Sequence, residues 1–266
     1  MGVVSQIKNG LSWFSSSLRI LRLQPLGFTA VASVYVMTMA LFGMLPWVGL
    51  VFAGLFWPFG TLLIAKGGAD SLSGRRPTLE ILFQSWHRTD TRLRMLRVGI
   101  LYAMMIVLVS IIWEFLAADD IAKWEISAEG RINWDSAAQH VPYGAIVAAL
   151  AVYIPCAMAL WFAPLLIYLK NLPLPKALFF SFFGCLSNLP AIAVALFLAF
   201  SATGLLMGLT ALFVSVSGLG AVALFFLFPV SFLCTALIYG TYYPMWKTVF
   251  SEVTFEGPRS ERPAGF

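Results

Sequence analysis

Charged side chains are the main thing this chain lacks. Only 11% of its 266 residues are Asp, Glu, Lys or Arg, whereas charged residues make up roughly a quarter of a typical soluble domain. Hydrophobic residues account for 60% of the chain, and the mean hydropathy is +0.87. This composition excludes an ordinary soluble protein and indicates an integral membrane protein.

Cysteine and histidine are too few and too scattered to indicate a metal or redox centre. Cys156, Cys185 and Cys234 each lie in an apolar stretch without CxxC spacing, which is typical of packed thiols. His87 and His140 are predicted on opposite sides of the membrane, so they cannot share a metal ion. We therefore expect neither a metal nor a cofactor.

Catalytic motifs are also missing. The sequence has no GxSxG, HExxH or P-loop pattern. The loop at residues 117–140 is acidic enough to supply a general acid and base, but its carboxylates show no calcium-loop spacing. The sequence therefore predicts that the protein is not an enzyme, and we name no catalytic residue.

Long uncharged apolar runs are what the chain does contain. A helix needs about 20 apolar residues to cross a bilayer, and no strand-like alternation indicates a barrel. The runs predict about six transmembrane helices within residues 25–249. The expected spans are residues 26–45, 47–65, 96–116 and 143–169, a fifth that begins after residue 190, and 220–245. The fold class is therefore all-α and polytopic.

Three amphipathic stretches flank these spans and predict helices that lie on the membrane surface. The first occupies residues 1–24, the second starts at Pro77, and the third follows Lys176. Their apolar stripes are Ile7, Leu11, Phe14, Leu18 and Leu21; then Leu79, Leu82, Phe83 and Trp86; then Phe179, Phe182, Phe183 and Leu186. The first helix is interpreted as a membrane anchor or as a surface for a partner, and the other two as helices that lie on the membrane.

The distribution of positive charge predicts the orientation. All but Lys123 and Arg131 of the 17 Lys and Arg residues lie outside the acidic loop. By the positive-inside rule, both termini are cytoplasmic, the loop at 117–140 is external, and the tail at 250–266 is cytoplasmic and disordered. The arginines ahead of span three are interpreted as topogenic charge that attracts anionic lipid headgroups, not nucleic acid.

Residues 53–86 and 155–190 share the order span end, basic loop, surface helix and next span. Because both copies have the same orientation, they indicate a weak parallel repeat and not an inverted one. Two interpretations stay open: a true duplication, or two similar solutions to one packing problem.

Pro164 stands where span four meets its surface helix. One interpretation is a helix bend with Trp161 as an interfacial anchor. The other is that Trp161, Pro164, Asn171 and Asn188 line a cytoplasmic groove for a lipid headgroup or a partner helix. In span five, a GxxxG pair predicts a close helix contact. The pair consists of Gly204 and Gly208.

The WFAP sequence at residues 161–164, followed by SFxxCLxN at 181–188, resembles the pattern of the BPSS1780 family of proteobacterial inner-membrane proteins. The resemblance covers chiefly the second half of the chain. More remotely, the layout is similar to that of the membrane domain of glycerophosphodiester phosphodiesterases and of YciC-like proteins. The resemblance implies a location in the bacterial inner membrane. It offers no catalytic residues.

These observations favour a non-enzymatic inner-membrane protein that acts by binding, as an accessory subunit or scaffold of a membrane complex. The alternative is transport or handling of a lipid or another apolar small molecule. Polar residues that converge on a central cavity would favour transport. Small-residue grooves that face the lipid would favour a membrane-protein partner.

Overall fold

The computed structural model describes residues 2–45, 48–87, 89–127, 130–217 and 223–250. These residues form twelve α-helices. In chain order they are α1 (Val3–Leu23), α2 (Pro25–Gly43), α3 (Val48–Leu72), α4 (Glu80–His87), α5 (Thr89–Ile121), α6 (Trp134–Gln139), α7 (Tyr143–Trp161), α8 (Ala163–Lys170), α9 (Leu174–Ser187), α10 (Leu189–Ser217), α11 (Ala223–Tyr239) and α12 (Tyr242–Phe250). The all-α, polytopic prediction is confirmed.

Five of the described segments are long and apolar enough to cross a membrane: α2, α3, α5, α7 with α8, and α10. The sixth predicted span corresponds to α11, which has 17 residues. Residues 218–222, which precede α11, lie outside the described part of the chain, as do Pro46 in the predicted turn and the tail from 251. The sixth span therefore stays a prediction.

The long helices pack side by side in the order α7, α5, α3, α2, α11 and α10. The helices of the row share one end at which α1, α4, α9, α12 and most of the basic residues lie, and we call it the basic end of the bundle. The opposite end carries the acidic loop and is called the acidic-loop end. At the basic end, α1 lies against α10, α3, α2 and α11, while α8 packs against α3 and α5.

Burial is concentrated near the basic end. The twelve largest fully buried side chains of the described residues all lie in that half of the molecule. They are Trp13, Ile20, Phe28, Leu62, Leu63, Ile64, Met95, Phe162, Leu165, Leu166, Ile167 and Met245. In α10, no residue beyond Thr203 is buried. The helices are thus tightly packed near the basic end and largely exposed toward the acidic-loop end.

The first amphipathic helix packs through a face that differs from its apolar stripe. The packed residues of α1 are Gln6, Gly10, Trp13, Ser17 and Ile20. The predicted stripe points away from the protein, since Leu11 and Leu18 are about half exposed. Because lipid is as apolar as leucine, the stripe can face lipid while smaller residues face the bundle. The prediction of a surface anchor was therefore incomplete, since α1 is also docked laterally on the helices.

The other two surface helices follow the same arrangement. In α9, the buried face consists of Ala177, Ser181 and Cys185, and the predicted phenylalanine stripe is largely exposed. In α4, Ile81 and Ser85 are buried, whereas most of the predicted stripe is exposed. Small residues allow these helices to approach the bundle closely, and the large side chains are left for the membrane interface.

Two predicted boundaries near the basic end were wrong. The second span was predicted to end at residue 65, but α3 continues to Leu72. Gly68 in this extension of α3 allows α12 to pack closely, because a Cβ at Gly68 would lie 3.1 Å from Cβ of Tyr243. The chain turns only at Gly74, which has a φ of +73°. The surface helix predicted to start at Pro77 begins instead at Glu80.

In the acidic loop, the alternation of apolar and polar residues from Trp124 to Trp134 predicts a small hairpin or an irregular cap. Ile126 and Ile132 form an isolated antiparallel bridge. Trp134, expected to continue the second strand, instead begins α6, because the Asn133 side chain accepts a hydrogen bond from the Asp135 N–H and caps the helix. Ala128 and Glu129, at the expected turn, lie outside the described residues.

The order of long, short and long helices recurs, as α3–α4–α5 and as α7/α8–α9–α10. The two sets pack differently. In the first, α3 and α5 lie along each other, whereas the described helices α7 and α10 have no comparable contact, and α10 packs on α1 and α11. The duplication therefore stays a prediction.

Candidate functional site

Span four is interrupted at Phe162, and a serine from α9 fills the interruption. The Ser181 hydroxyl accepts a hydrogen bond from the Phe162 N–H at 2.9 Å and donates one to the Met158 carbonyl at 2.8 Å. In a continuous helix these two backbone groups would bond to each other. The hydroxyl is thus inserted into the helical ladder, which is a known cause of sharp kinks.

At the interruption the chain bends, so that α8 enters the centre of the bundle near the basic end. Residues 163–168 of α8 are all buried. Pro164 occupies the first turn of α8, where its missing N–H leaves no hydrogen bond unmade. Pro155, the other proline of span four at which the sequence predicts a bend, lies inside α7. Of the two candidate positions, the helix therefore breaks beside Pro164.

A second buried serine lies at the break between α11 and α12. The Ser17 hydroxyl of α1 donates to the Leu237 carbonyl at 2.5 Å. Gly240 lies directly beside this serine, since a Cβ at Gly240 would come within 2.4 Å of Ser17 Oγ. The predicted single span at 220–245 is therefore split, because glycine allows α1 to dock against the end of α11.

Aromatic residues join the two breaks. The Tyr242 hydroxyl donates to the Trp161 carbonyl at 2.6 Å, and the Tyr242 ring stacks on Phe162 at a centroid distance of 5.9 Å. Phe250 packs edge-on against Phe162 at 5.4 Å. On α9, burial raises the pKa of the Cys185 thiol to about 12, so this thiol stays protonated at neutral pH. We call Trp161, Phe162, Ser181, Tyr242 and Phe250 the break cluster.

A buried ion-pair cluster closes the basic end of α3. Asp70 Oδ1 accepts from Lys66 Nζ at 2.5 Å, from Arg75 Nη2 at 2.8 Å and from Arg75 Nε at 2.9 Å. Only 3% of Asp70 is exposed. The pKa of the neighbouring Tyr243 hydroxyl is raised, chiefly by burial. The charge of Arg75 lowers this pKa, and the charge of Asp70 raises it. The cluster fixes the α3–α4 loop to the end of the helix.

Sequence reasoning missed Asp70 because the surrounding glycines indicated a loop. The i, i+4 spacing of Lys66 and Asp70 was the signal that could have identified a helical ion pair. It also missed the Ser181 bridge, although Ser181 belongs to the quoted SFxxCLxN pattern. A serine hydroxyl can fill a helix break, but only the structure shows which break lies opposite it.

The four predicted groove residues are not gathered into one site. Pro164 is buried, and Trp161 is packed against Tyr242. Asn171 ends α8 in a left-handed conformation, with its Oδ1 accepting from Arg94 at 2.9 Å. Asn188 donates to the Gly184 carbonyl. The two asparagines flank the 14-residue helix α9, about 21 Å apart by helical rise.

The predicted GxxxG contact is not made with any residue that the structure describes. Gly204 and Gly208 are exposed, and a Cβ at either would meet no described atom within 4 Å. The close helix crossing lies elsewhere, between α3 and α5. A Cβ at Gly99 would come within 2.5 Å of the Gly54 carbonyl, and one at Gly54 within 2.8 Å of Ala103 Cβ. The Gly99-xxx-Ala103 spacing was the sequence signal for this crossing.

Five of the hydroxyl groups in the spans bond to their own helices, whereas Thr29 Oγ1 is buried without a hydrogen-bond partner among the described residues. Each of the five donates to a carbonyl three or four residues earlier, which satisfies the group locally. This holds for Ser33, Thr38, Thr61, Thr203 and Thr210. Among the described residues, no group of three or more His, Cys, Asp or Glu side chains could hold a metal ion.

Long apolar helices and outward-facing apolar stripes define a polytopic α-helical membrane protein. The chain is 30% identical over 249 residues to the "Probable inner membrane protein BTH_II0599" of Burkholderia thailandensis, and the alignment covers 91% of each chain. The chain belongs to the same family of inner-membrane proteins. No protein-family model matches it. No solved structure matches it either.

Proposed function

We propose that this protein is a non-enzymatic accessory subunit or scaffold of an inner-membrane complex, and that α10 binds a helix of its partner. One observation carries the proposal: small residues form a stripe along the exposed face of α10. The stripe consists of Ser201, Gly204, Gly208, Ala211 and Ser215.

The spacing of this stripe suits helix association. Its members recur every three or four residues, so they lie on one face over about four turns. Exposed Leu205 and Leu212 flank it. Two helices that meet through small residues gain backbone contact and dispersion energy, which supply the driving force for association within lipid. The same stripe would gain little from contact with mobile acyl chains.

The arrangement of polar groups favours binding over passage. Five span hydroxyls bond to carbonyls of their own helices, and the described charged cluster at Asp70 lies at the basic end, not at mid-membrane. Following the charge distribution, we also propose that both termini are cytoplasmic and that the acidic loop is external. The WFAP and SFxxCLxN residues support membership of the BPSS1780 family.

The test is quantitative mass spectrometry of proteins that co-purify with the tagged full chain after gentle extraction from its native membrane. A double Gly204→Leu, Gly208→Leu variant is compared with a Gly144→Leu control, because Gly144 is also exposed on a span with nothing within 4 Å. We expect a stoichiometric membrane protein with the wild type and the control, and its loss from the double variant.

Two results would overturn the proposal. One is a chain that never carries a stoichiometric protein partner. The other is a partner that the double variant retains at the wild-type level. Size-exclusion chromatography of each variant checks that its fold is intact, and we expect it to be so because the two glycines contact no described residue.

A further inference from the structure

We propose that a phospholipid of the leaflet at the basic end binds between α3 and α5, with one acyl chain in a lipid-facing groove and its phosphate at Arg97. The groove has a volume of about 470 Å³, within the usual range for small-molecule sites. This site is separate from the small-residue stripe of α10 and does not depend on it.

Close contact between two glycines creates the groove. α3 and α5 touch where Gly54 meets Gly99, and bulkier aliphatic side chains hold the helices apart beyond that point. Leu50 and Val51 form one wall, and Met104 and Val107 form part of the other. Every residue that lines the groove is aliphatic or Met. The groove therefore suits an occupant with no polar groups along its length.

The groove extends past the middle of the two predicted spans. On α5 the lining runs from Ile100 to Ile111, which corresponds to about 16 Å of helical rise. On α3 the lining residues are Leu50, Val51 and Leu55, in the half of the span at 47–65 that is nearer the acidic-loop end. An acyl chain whose headgroup lies at Arg97 therefore reaches past the middle of the bilayer when it fills the groove.

Arg97 supplies the charge at the entrance. It lies three residues before Ile100, on the same face of α5 as Met104 and Ile111. The side chain is exposed and forms no hydrogen bond or ion pair with a described residue. A guanidinium group suits bidentate contact with a phosphate. The groove and the arginine together therefore fit an amphiphile with an anionic head.

Two nearby arginines on α5 are already engaged. Arg94 donates to Asn171 at the end of α8, and Arg92 lies over the Trp86 ring at 5.5 Å. A partner helix is a poorer occupant of the groove than a lipid, because the bulky walls leave only Ala103 as a small residue for close backbone approach.

The experiment is native mass spectrometry of the full chain in detergent, titrated with dioleoyl phosphatidylglycerol or dioleoyl phosphatidylcholine. We expect a one-to-one adduct that favours phosphatidylglycerol. Arg97→Gln should weaken the phosphatidylglycerol adduct about fivefold, since a basic residue near anionic lipid contributes about 1 kcal/mol. Arg76→Gln, which removes another basic residue of the same end, serves as the control.

A groove-filling variant tests the acyl chain separately from the phosphate. Met104→Trp should reduce retention of both lipids, whereas Val147→Trp on the exposed face of α7 should not. Glycerophosphoglycerol, the headgroup without chains, should fail to compete at matched concentration, and competition by it would contradict the chain-binding half of the proposal. Equal binding of both lipids would contradict the preference for a net anionic headgroup, because phosphatidylcholine also carries a phosphate. Equal losses for Arg97→Gln and Arg76→Gln would overturn the phosphate site at Arg97.

Discussion

The two halves of the helix bundle use the same apolar composition in opposite ways. Near the basic end, helices meet through buried glycines, serines and an ion pair, and large side chains fill the space between them. Toward the acidic-loop end, side chains such as Leu209, Val216 and Phe225 are exposed. Apolar residues alone therefore do not hold the helices together, and small or polar residues determine where they touch.

A bilayer explains this difference. In water, burial of apolar surface would drive both halves together. In lipid, that driving force between helices is absent, so association depends on close packing and on hydrogen bonds. The basic half has both. The acidic-loop half of α10 carries small residues, and a Cβ at Gly204 or Gly208 would meet no described atom within 4 Å.

The largest contrast is expected between Leu166 in the packed half and Leu209 in the exposed half. Leu166 is fully buried and Leu209 is 55% exposed. Leu166→Ala should lower the free energy of unfolding in micelles by about 3 kcal/mol, because it leaves a cavity. Leu209→Ala should change it by less than about 0.5 kcal/mol. Equal effects would mean that the two halves are packed alike.

The effect of a glycine-to-alanine substitution on folding stability should have opposite signs in the two halves. Gly99→Ala should destabilise the chain by about 2 kcal/mol, because the new Cβ would overlap the Gly54 carbonyl and the Leu55 Cα. Gly204→Ala meets nothing within the described chain, so it should stabilise α10 by about 0.5 kcal/mol. Reversible denaturation of the two variants checks this. An unchanged free energy of unfolding for Gly99→Ala would argue against the α3–α5 crossing.

Removing the Ser181 hydroxyl tests the bridge at the helix break. Ser181→Ala leaves the buried Phe162 N–H and Met158 carbonyl without their shared partner, which should cost about 2 kcal/mol. Ser187→Ala on the same helix removes an exposed hydroxyl and should cost almost nothing. Melting temperatures of both variants provide the measurement. A neutral Ser181→Ala would show that another group satisfies the break.

The smallest of these effects concerns Asp70. Asp70→Asn leaves Lys66 and Arg75 without their carboxylate, but both cations are partly exposed, with side chains 24% and 58% accessible. We therefore expect a loss of about 1 kcal/mol, well below the value for a fully buried pair. Glu80→Gln, at an exposed i, i+4 contact with Gln84, is the control. A stabilising Asp70→Asn would contradict the role of the cluster.

Sequence patterns predicted the spans because a run of about 20 apolar residues has few other stable structures in a protein. They predicted the three surface helices from periodicity, but not which face would pack. For α9, the stripe of phenylalanines was the strongest signal, yet Ala177, Ser181 and Cys185 make the contact. Small residues contribute little to the hydrophobic periodicity of a helix. The packing face can therefore be identified only when the neighbouring helix is known.

The break cluster was partly predictable. Pro164 indicated a bend, and the WFAP and SFxxCLxN residues indicated a pattern. The pairing of Ser181 with Phe162, and of Tyr242 with the Trp161 carbonyl, joins positions 19 and 81 residues apart. No local rule relates such distant positions. The structure does not gather the proposed groove residues Trp161, Pro164, Asn171 and Asn188: Asn171 bonds to Arg94, 77 residues away in the chain, and Asn188 bonds to the Gly184 carbonyl.

The most direct test of the proposed function is site-specific photo-crosslinking in native membranes. A photoreactive phenylalanine replaces Leu212, beside the small-residue stripe, or Val147 on the exposed face of α7 as the control; both are well exposed. A discrete adduct with a membrane protein from Leu212, and none from Val147, is the predicted result. Crosslinks to lipid alone at both positions would contradict a partner on α10.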